Sequence, residues 1–254
     1  MLNYLKSEFY RGFKNRYLKI TVGVFALLEA LLVGILYYFV NHTEGFPYGN
    51  TKFALSNIYM QMPVLTVVIV FLAYLIDDNE FKNRTIKQSI AFGISRVRIF
   101  LGKFIVQAIL CCIIYTILVT FFAALSFLAL PHSNVGEFSA LVRVSVGGLT
   151  CLLASLAIAY YFVMNFKSQN IGMTLAMAIL FILPVIVNYL GRKVELVNEF
   201  AKYMPYNILN YDSILVSGNG DFSAVYGEPL LIGLVWLIAA IVLGLVHFKR
   251  KEIR

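Results

Sequence analysis

Glu29 stands alone in the apolar run VFALLEALLVG, and no other carboxyl or basic side chain lies deep in a run of that kind. On insertion scales an Asp, Lys or Arg at the centre of a membrane helix costs about 2.5–3.5 kcal/mol, so a carboxyl there needs a reason. Two reasons fit. Glu29 either faces a pathway, where it would meet cations or cationic parts of a substrate, or it is a protonated carboxyl hydrogen-bonded to a neighbouring helix. Proton coupling is the weaker form of the first reading, because a relay needs a second intramembrane acid or base. Asn188, one turn after Pro184 in LPVIVNYL, is the other candidate pathway residue. The proline there marks a kink beside a pathway or is simply tolerated, as prolines in membrane helices often are.

The groups needed for catalysis are missing. His42, His132 and His247 are far apart and fall at or beyond the ends of apolar runs, so no pair is placed to hold a metal in the bilayer. Cys111, Cys112 and Cys151 sit inside such runs without metal-type spacing and read as small apolar residues. The acids Asp77, Asp78 and Glu80 are flanked by cations and suit a solvated helix start better than a divalent site. No H-E-x-x-H, G-x-S-x-G or G-x-x-x-x-G-K-S/T pattern occurs. No catalytic residue, metal site or bound cofactor is expected, and any ATP must be hydrolysed by another chain.

The elements that position these residues are membrane helices. Of the 254 residues, 60% are hydrophobic and 13% charged, against about 45–50% and about 25% in soluble domains. Six apolar runs, 20–40, 58–76, 104–130, 144–164, 171–190 and 230–248, approach the roughly 20 residues needed to cross a bilayer. Sixteen cations fall on one side of these spans: Lys6, Arg11, Lys14, Arg16 and Lys19, six in the 77–103 loop, Lys167, and Lys249, Arg250, Lys251 and Arg254 in the 249–254 tail. The other side has five, Lys52, Arg143, Arg192, Lys193 and Lys202. The positive-inside rule makes the first side cytoplasmic and puts both termini there. The fold class expected is therefore an all-α integral membrane protein of six spans, inserted multi-pass in a bacterial cytoplasmic membrane. Topology and anionic lipid headgroups account for the excess of cations. Without a compact basic domain, nucleic acid is not an expected partner.

Shorter patterns fill in the rest. In residues 1–19, Leu2, Leu5, Phe9 and Phe13 recur at helical steps, with Lys6, Arg11 and Lys14 on other faces, as in a helix lying in the headgroup region. That stretch lacks the apolar core and small-residue cleavage site of a signal peptide, so it is expected to remain on the chain. In the outer stretch 191–229, Val194, Val197, Phe200, Ala201 and Met204 predict a short amphipathic helix before Pro205, and SGNGDFS predicts a turn. Two small-residue ridges at four-residue spacing, Ala26, Ala30 and Gly34 in the first span and Gly147, Cys151, Ser155 and Ala159 in the fourth, suit close helix packing. Gln107, Thr116 and Thr120 in the third span admit either a structural or a pathway role. No internal repeat argues for inverted halves.

The most informative loop reads EFKNRTIKQSIAFGISRVRIFLGK, from Glu80 to Lys103. Acids at its start favour a helix N-terminus. Ile86 and Ile90 make a stripe, while Lys82, Arg84 and Lys87 take other faces. Arg96, Arg98 and Lys103 then precede the third span, where they are expected to reach headgroups.

The order of residues here, an acid, then Arg84-Thr85-Ile86-Lys87, then Ser95-Arg96 and Gly102-Lys103 opening a span, resembles the cytoplasmic loop of ABC-2 type transporter permeases. With six spans and an N-terminal interfacial helix, the resemblance extends over essentially the whole chain; the family commonly has glycine where Arg84 stands. It implies that Asp78, Glu80, Lys82, Arg84, Thr85, Ile86, Lys87 and Ile90 form a coupling helix docking on an ATPase. Residues 1–19 would be the elbow helix and 191–229 the outer gate. The implied partners are two ABC ATPase subunits carrying ATP and Mg, and a second permease copy or a paralogous permease. Among compact permeases of this size the resemblance is to exporters of amphipathic, bacteriocin-like or cytolytic peptides; drugs, lipids and glycans are alternatives, as is an ATP-independent carrier or channel using Glu29.

Overall fold

The protein is described by a computed structural model covering residues 2–43, 46–51, 53–55, 65–71, 74, 85–132, 137–166, 168–209 and 223–251. The described residues form helices and no strands. In hydrocarbon every backbone N–H and C=O must find a partner within its own segment, which only a helix or a closed barrel provides. The elements are α1 (Leu2–Lys14), α2 (Arg16–His42), α3 (Thr85–Ala91), α4 (Arg96–Ala129), α5 (Glu137–Asn165), α6 (Gln169–Gly191), α7 (Glu195–Lys202), α8 (Pro205–Leu209) and α9 (Ser223–Arg250). Two buried serines bond back to their own helix: Ser126 donates to the Phe122 carbonyl and Ser155 to the Cys151 carbonyl.

Five of these helices, α2, α4, α5, α6 and α9, are long and apolar enough to cross a membrane. The predicted second span, 58–76, lies mostly outside the described residues, although 65–71 are helical. The other spans begin earlier than hydropathy suggests: α4 starts at Arg96 instead of 104, α5 at Glu137 instead of 144, and α9 at Ser223 instead of 230. Hydropathy registers only the stretch that matches the hydrocarbon, whereas the helix continues until its cap. For α4 that cap is Ser95, whose hydroxyl accepts the Arg98 N–H.

Helix α5 is the hub, with 67% of its apolar window buried against 17% for α2 and for α9. It packs on α4, α6, α8 and, most extensively, α9. Gly233 makes the last contact possible, because a Cβ there would come within 2.8–2.9 Å of the Thr150 and Cys151 backbone. Cys151, Ser155 and Ala159 of the fourth-span ridge are all buried. In α6 the turn Ala178–Ile182 is a π-helix, in which the Leu183 N–H reaches the Ala178 carbonyl five residues back. Pro184 follows at once and brings no N–H of its own, so the widened turn accommodates the gap in the ladder.

One end of the bundle gathers the start of α4, the end of α5 and the end of α9. At the other end the Thr51 N–H donates to the Pro131 carbonyl at 3.1 Å, joining the segment after α2 to the exit of α4. Asn15 separates α1 from α2, its side chain accepting the Tyr17 N–H at 2.9 Å in an N-cap. Helix α1 then lies along α4, with Tyr4 and Leu5 against Gly102 and Gly12 against Leu110. Much of the apolar stripe that the sequence assigns to the headgroup region thus packs on protein, while Phe13 stays exposed.

Candidate coupling and pathway sites

Helix α3 joins the longest span through a stiff corner. The Gly93 N–H donates to the Ile90 carbonyl at 2.9 Å and the Ile94 N–H to the Ser89 carbonyl at 3.1 Å, the bond pair of a Schellman motif. Gly93 takes φ +84°, a left-handed conformation open to glycine at no steric cost. Ser95 caps α4 two residues later, so little backbone between α3 and α4 is free to bend. Ile90 is half-buried against the core. Thr85, Ile86 and Lys87 belong to α3 by backbone, whereas Asp78, Glu80, Lys82 and Arg84 lie outside the described residues.

Below the corner, two cations cap two other helices. The Arg96 guanidinium donates to the Lys249 and Lys251 carbonyls at 2.9 and 2.8 Å, at the end of α9. The Lys251 ammonium donates to the Met164 and Phe166 carbonyls at 2.7 and 2.9 Å, at the end of α5. Carbonyls in a last helical turn lack intrahelical donors and carry the negative end of the macrodipole, so cations suit them. Burial nevertheless pushes the Lys251 ammonium down to about 8 from its ordinary 10.5. Asn165 adds a bond to the Gly244 carbonyl at 3.3 Å. The sequence offers Lys251 as a topology signal, and Arg96 as a headgroup anchor and part of the Ser95-Arg96 step, so neither is expected to cap a distant helix. The clue available was a cation within a turn of each helix end.

A second cluster corrects the expectation for Lys103. That residue does not reach headgroups: it is 2% exposed, and its ammonium meets Glu8 of α1 at 3.2 Å. Glu8 also pairs with Arg11 one turn on. Because α4 starts at Arg96, Lys103 lies two turns inside the helix, under α1. Glu8 is the only acid of α1 and shares the side of Leu5 and Gly12, which was the legible hint that it would be buried.

Glu29 is 6% exposed, on a buried face of α2 shared with Val33 and Leu36. Its Oε2 finds no hydrogen-bond partner among the described residues. Ala26 is half-buried, but Ala30 and Gly34 face outward and help line an open apolar groove of about 510 Å³ with Leu31, Tyr38 and Phe39. Within the first-span ridge Ala26 packs against the core, while the larger Val33 and Leu36 of α2 are buried. Gly147 lies on α5 by backbone.

Asn188 is exposed and has a side-chain partner. Its amide exchanges two hydrogen bonds of 2.8 Å with Asn207 of α8, and Asn207 donates again to the Ala201 carbonyl at 2.7 Å. The Trp236 indole of α9 donates to the Tyr203 carbonyl at 2.7 Å. The pair α7–α8 is therefore tied to both flanking spans. Glu29, Asn188 and the α3 corner are separate places in the fold. No group of three potential metal-ligating side chains occurs among the described residues.

A bundle of apolar helices of this length defines a multi-pass membrane protein. The family profile described as ABC-2 family transporter protein matches residues 2–253, and the chain belongs to that family. It is accordingly a multi-pass membrane component, the permease of an ABC transporter and not its ATPase, and the family implies association with an ABC ATPase subunit. No curated protein matches the chain closely enough to name a relative.

Proposed function

We propose that this permease pairs with a second copy and, driven by two ATPase subunits that bind ATP and magnesium, exports amphipathic or hydrophobic peptides across a bacterial cytoplasmic membrane. The observation that carries the reading is the Gly93 corner, which fixes α3 to the 34-residue α4 so that a push on the loop moves the span as a lever. Asp78, Glu80, Lys82, Arg84, Thr85, Ile86, Lys87 and Ile90 would form the docking surface. Both termini would lie in the cytoplasm, α1 would act as the elbow, and the α7–α8 region would act as the outer gate.

Glu29 supports the choice of substrate class. A buried carboxyl oxygen without a partner among the described residues, in a span rich in apolar and aromatic side chains, suits a ligand that is both greasy and cationic. The exposed Ala30–Gly34 face of α2 suits the second copy, since small residues allow close helix approach.

The test is co-purification with a candidate ATPase and measurement of ATP turnover and peptide export in lipid. Charge reversal at Lys82 and Lys87 should uncouple or dissociate the ATPase while the spans stay folded, and unchanged assembly would remove α3 as the contact. Glu29→Gln should fold yet alter peptide-stimulated turnover. Transport by the chain alone under an ion gradient would replace the reading with an ATP-independent carrier.

A further inference from the structure

We propose that the C-terminal tail is a clasp, in which Arg96 and Lys251 bind the loop-side ends of α4, α5 and α9 into one body that moves with α3. The links form an unbroken series. The Schellman bonds at Gly93 stiffen the exit from α3, and Ser95 caps α4 directly after it. Arg96, the first residue of α4, then grips two carbonyls of the tail, those of Lys249 and Lys251. Lys251, held by its own carbonyl, extends its ammonium across to the end of α5.

The two cationic links join residues that the chain keeps far apart. Arg96 and Lys251 are separated by 155 positions, and Lys251 and Phe166 by 85. Four charge-assisted bonds therefore span three helix ends, which among the described residues are also tied by apolar contacts, the Asn165–Gly244 bond and two links made by tyrosines. Tyr160 donates to the Phe100 carbonyl at 2.8 Å, and Tyr161 meets His247 at 3.2 Å. Those contacts hold neighbours side by side. The clasp adds resistance to sliding along the helix axes, because a carbonyl-capping cation is lost when one helix moves by a single turn.

A displacement of α3 should for this reason carry α5 and α9 along with α4. The tail would be a mechanical part of the bundle beyond its role as a topology signal. The inference is independent of what drives α3, so it stands or falls apart from the ATPase reading.

Amide hydrogen exchange on the full chain in lipid nanodiscs tests it, with the amides of Ile99, Phe166 and Lys251 reporting on α4, α5 and α9. Lys251→Met or Arg96→Gln should raise exchange at all three by about tenfold, the scale of one lost hydrogen bond to a charged group. The double variant should go little further than the more severe single one, since both break the same body. Arg98→Gln, which removes a neighbouring exposed cation, should change none of them. Loosening confined to the substituted end, or equal loosening in Arg98→Gln, would overturn the clasp. Should Arg96→Gln fail to fold, Lys251→Met with Lys251→Gln carries the test.

Discussion

The Lys103 ammonium meets the Glu8 carboxylate at 3.2 Å, with 2% and 4% of the two residues exposed. This pair pins α1 to the second turn of α4, and Arg11 shares the carboxylate. The two partners are therefore not equivalent on removal. Glu8→Gln takes the carboxylate away from both the buried Lys103 and Arg11 and should destabilise the folded chain by about 3–5 kcal/mol, whereas Lys103→Met leaves Glu8 with Arg11 and should do distinctly less. Denaturation in mild detergent distinguishes them, and equal losses would mean that Arg11 does not compensate.

The corner at Gly93 makes a second prediction. Its φ of +84° leaves the position open to glycine and tolerable for asparagine. Gly93→Ala should cost about 1–2 kcal/mol and Gly93→Asn less. A Cβ there would meet nothing within 4 Å, so the loss is one of backbone strain and not of crowding. Thermal midpoints of the two variants check the order.

Crowding governs Gly233 instead. A methyl there would press on the Thr150 and Cys151 backbone at 2.8–2.9 Å, where no side-chain rotation relieves it. Gly233→Ala should destabilise the α5–α9 contact by about 1–3 kcal/mol. Gly34→Ala on the outward face of α2, with nothing within 4 Å of its added methyl, should leave the isolated chain's stability nearly unchanged.

Lys251 should make stability depend on pH. Its folded value of about 8 lies below the ordinary 10.5, so between these limits the unfolded chain holds a proton that the folded chain has released. Stability from this group then rises with pH across about 8 to 10.5 and is level on either side. The neutral amine still has two N–H donors for the two carbonyls, so the clasp survives deprotonation. Comparing thermal midpoints of the wild type and Lys251→Met from pH 7.5 to 9.5 should show the difference shifting in favour of the wild type. A constant difference would mean that Lys251 is fully hydrated.

Much of the design was legible along the chain. Length and hydropathy identify spans because the hydrocarbon has one thickness, and the α7 helix at 195–202 follows from apolar spacing before Pro205. The burial of Glu29 was legible in part, since an acid in an apolar helix has only protein to turn to. Its actual face was not. The small ridge Ala26, Ala30 and Gly34 suggests a packing surface, yet Val33 and Leu36 are the buried residues there while Ala30 and Gly34 face outward. In lipid both faces of such a helix are apolar, so periodicity alone cannot choose between them.

What the sequence by itself determined is the class: a helical membrane protein with a loop that resembles that of ABC-2 permeases and with its cations biased to one set of connections. These properties depend on local composition and on residues close together in the chain. Only the tertiary structure decided that Lys103 is buried against Glu8, that Asn188 is occupied by Asn207, and that Arg96 and Lys251 cap distant helices. Those pairs are 95, 19 and 85 to 155 positions apart. Their meeting depends on the relative depth and rotation of whole helices, which close packing at places such as Gly233 sets and no single span encodes.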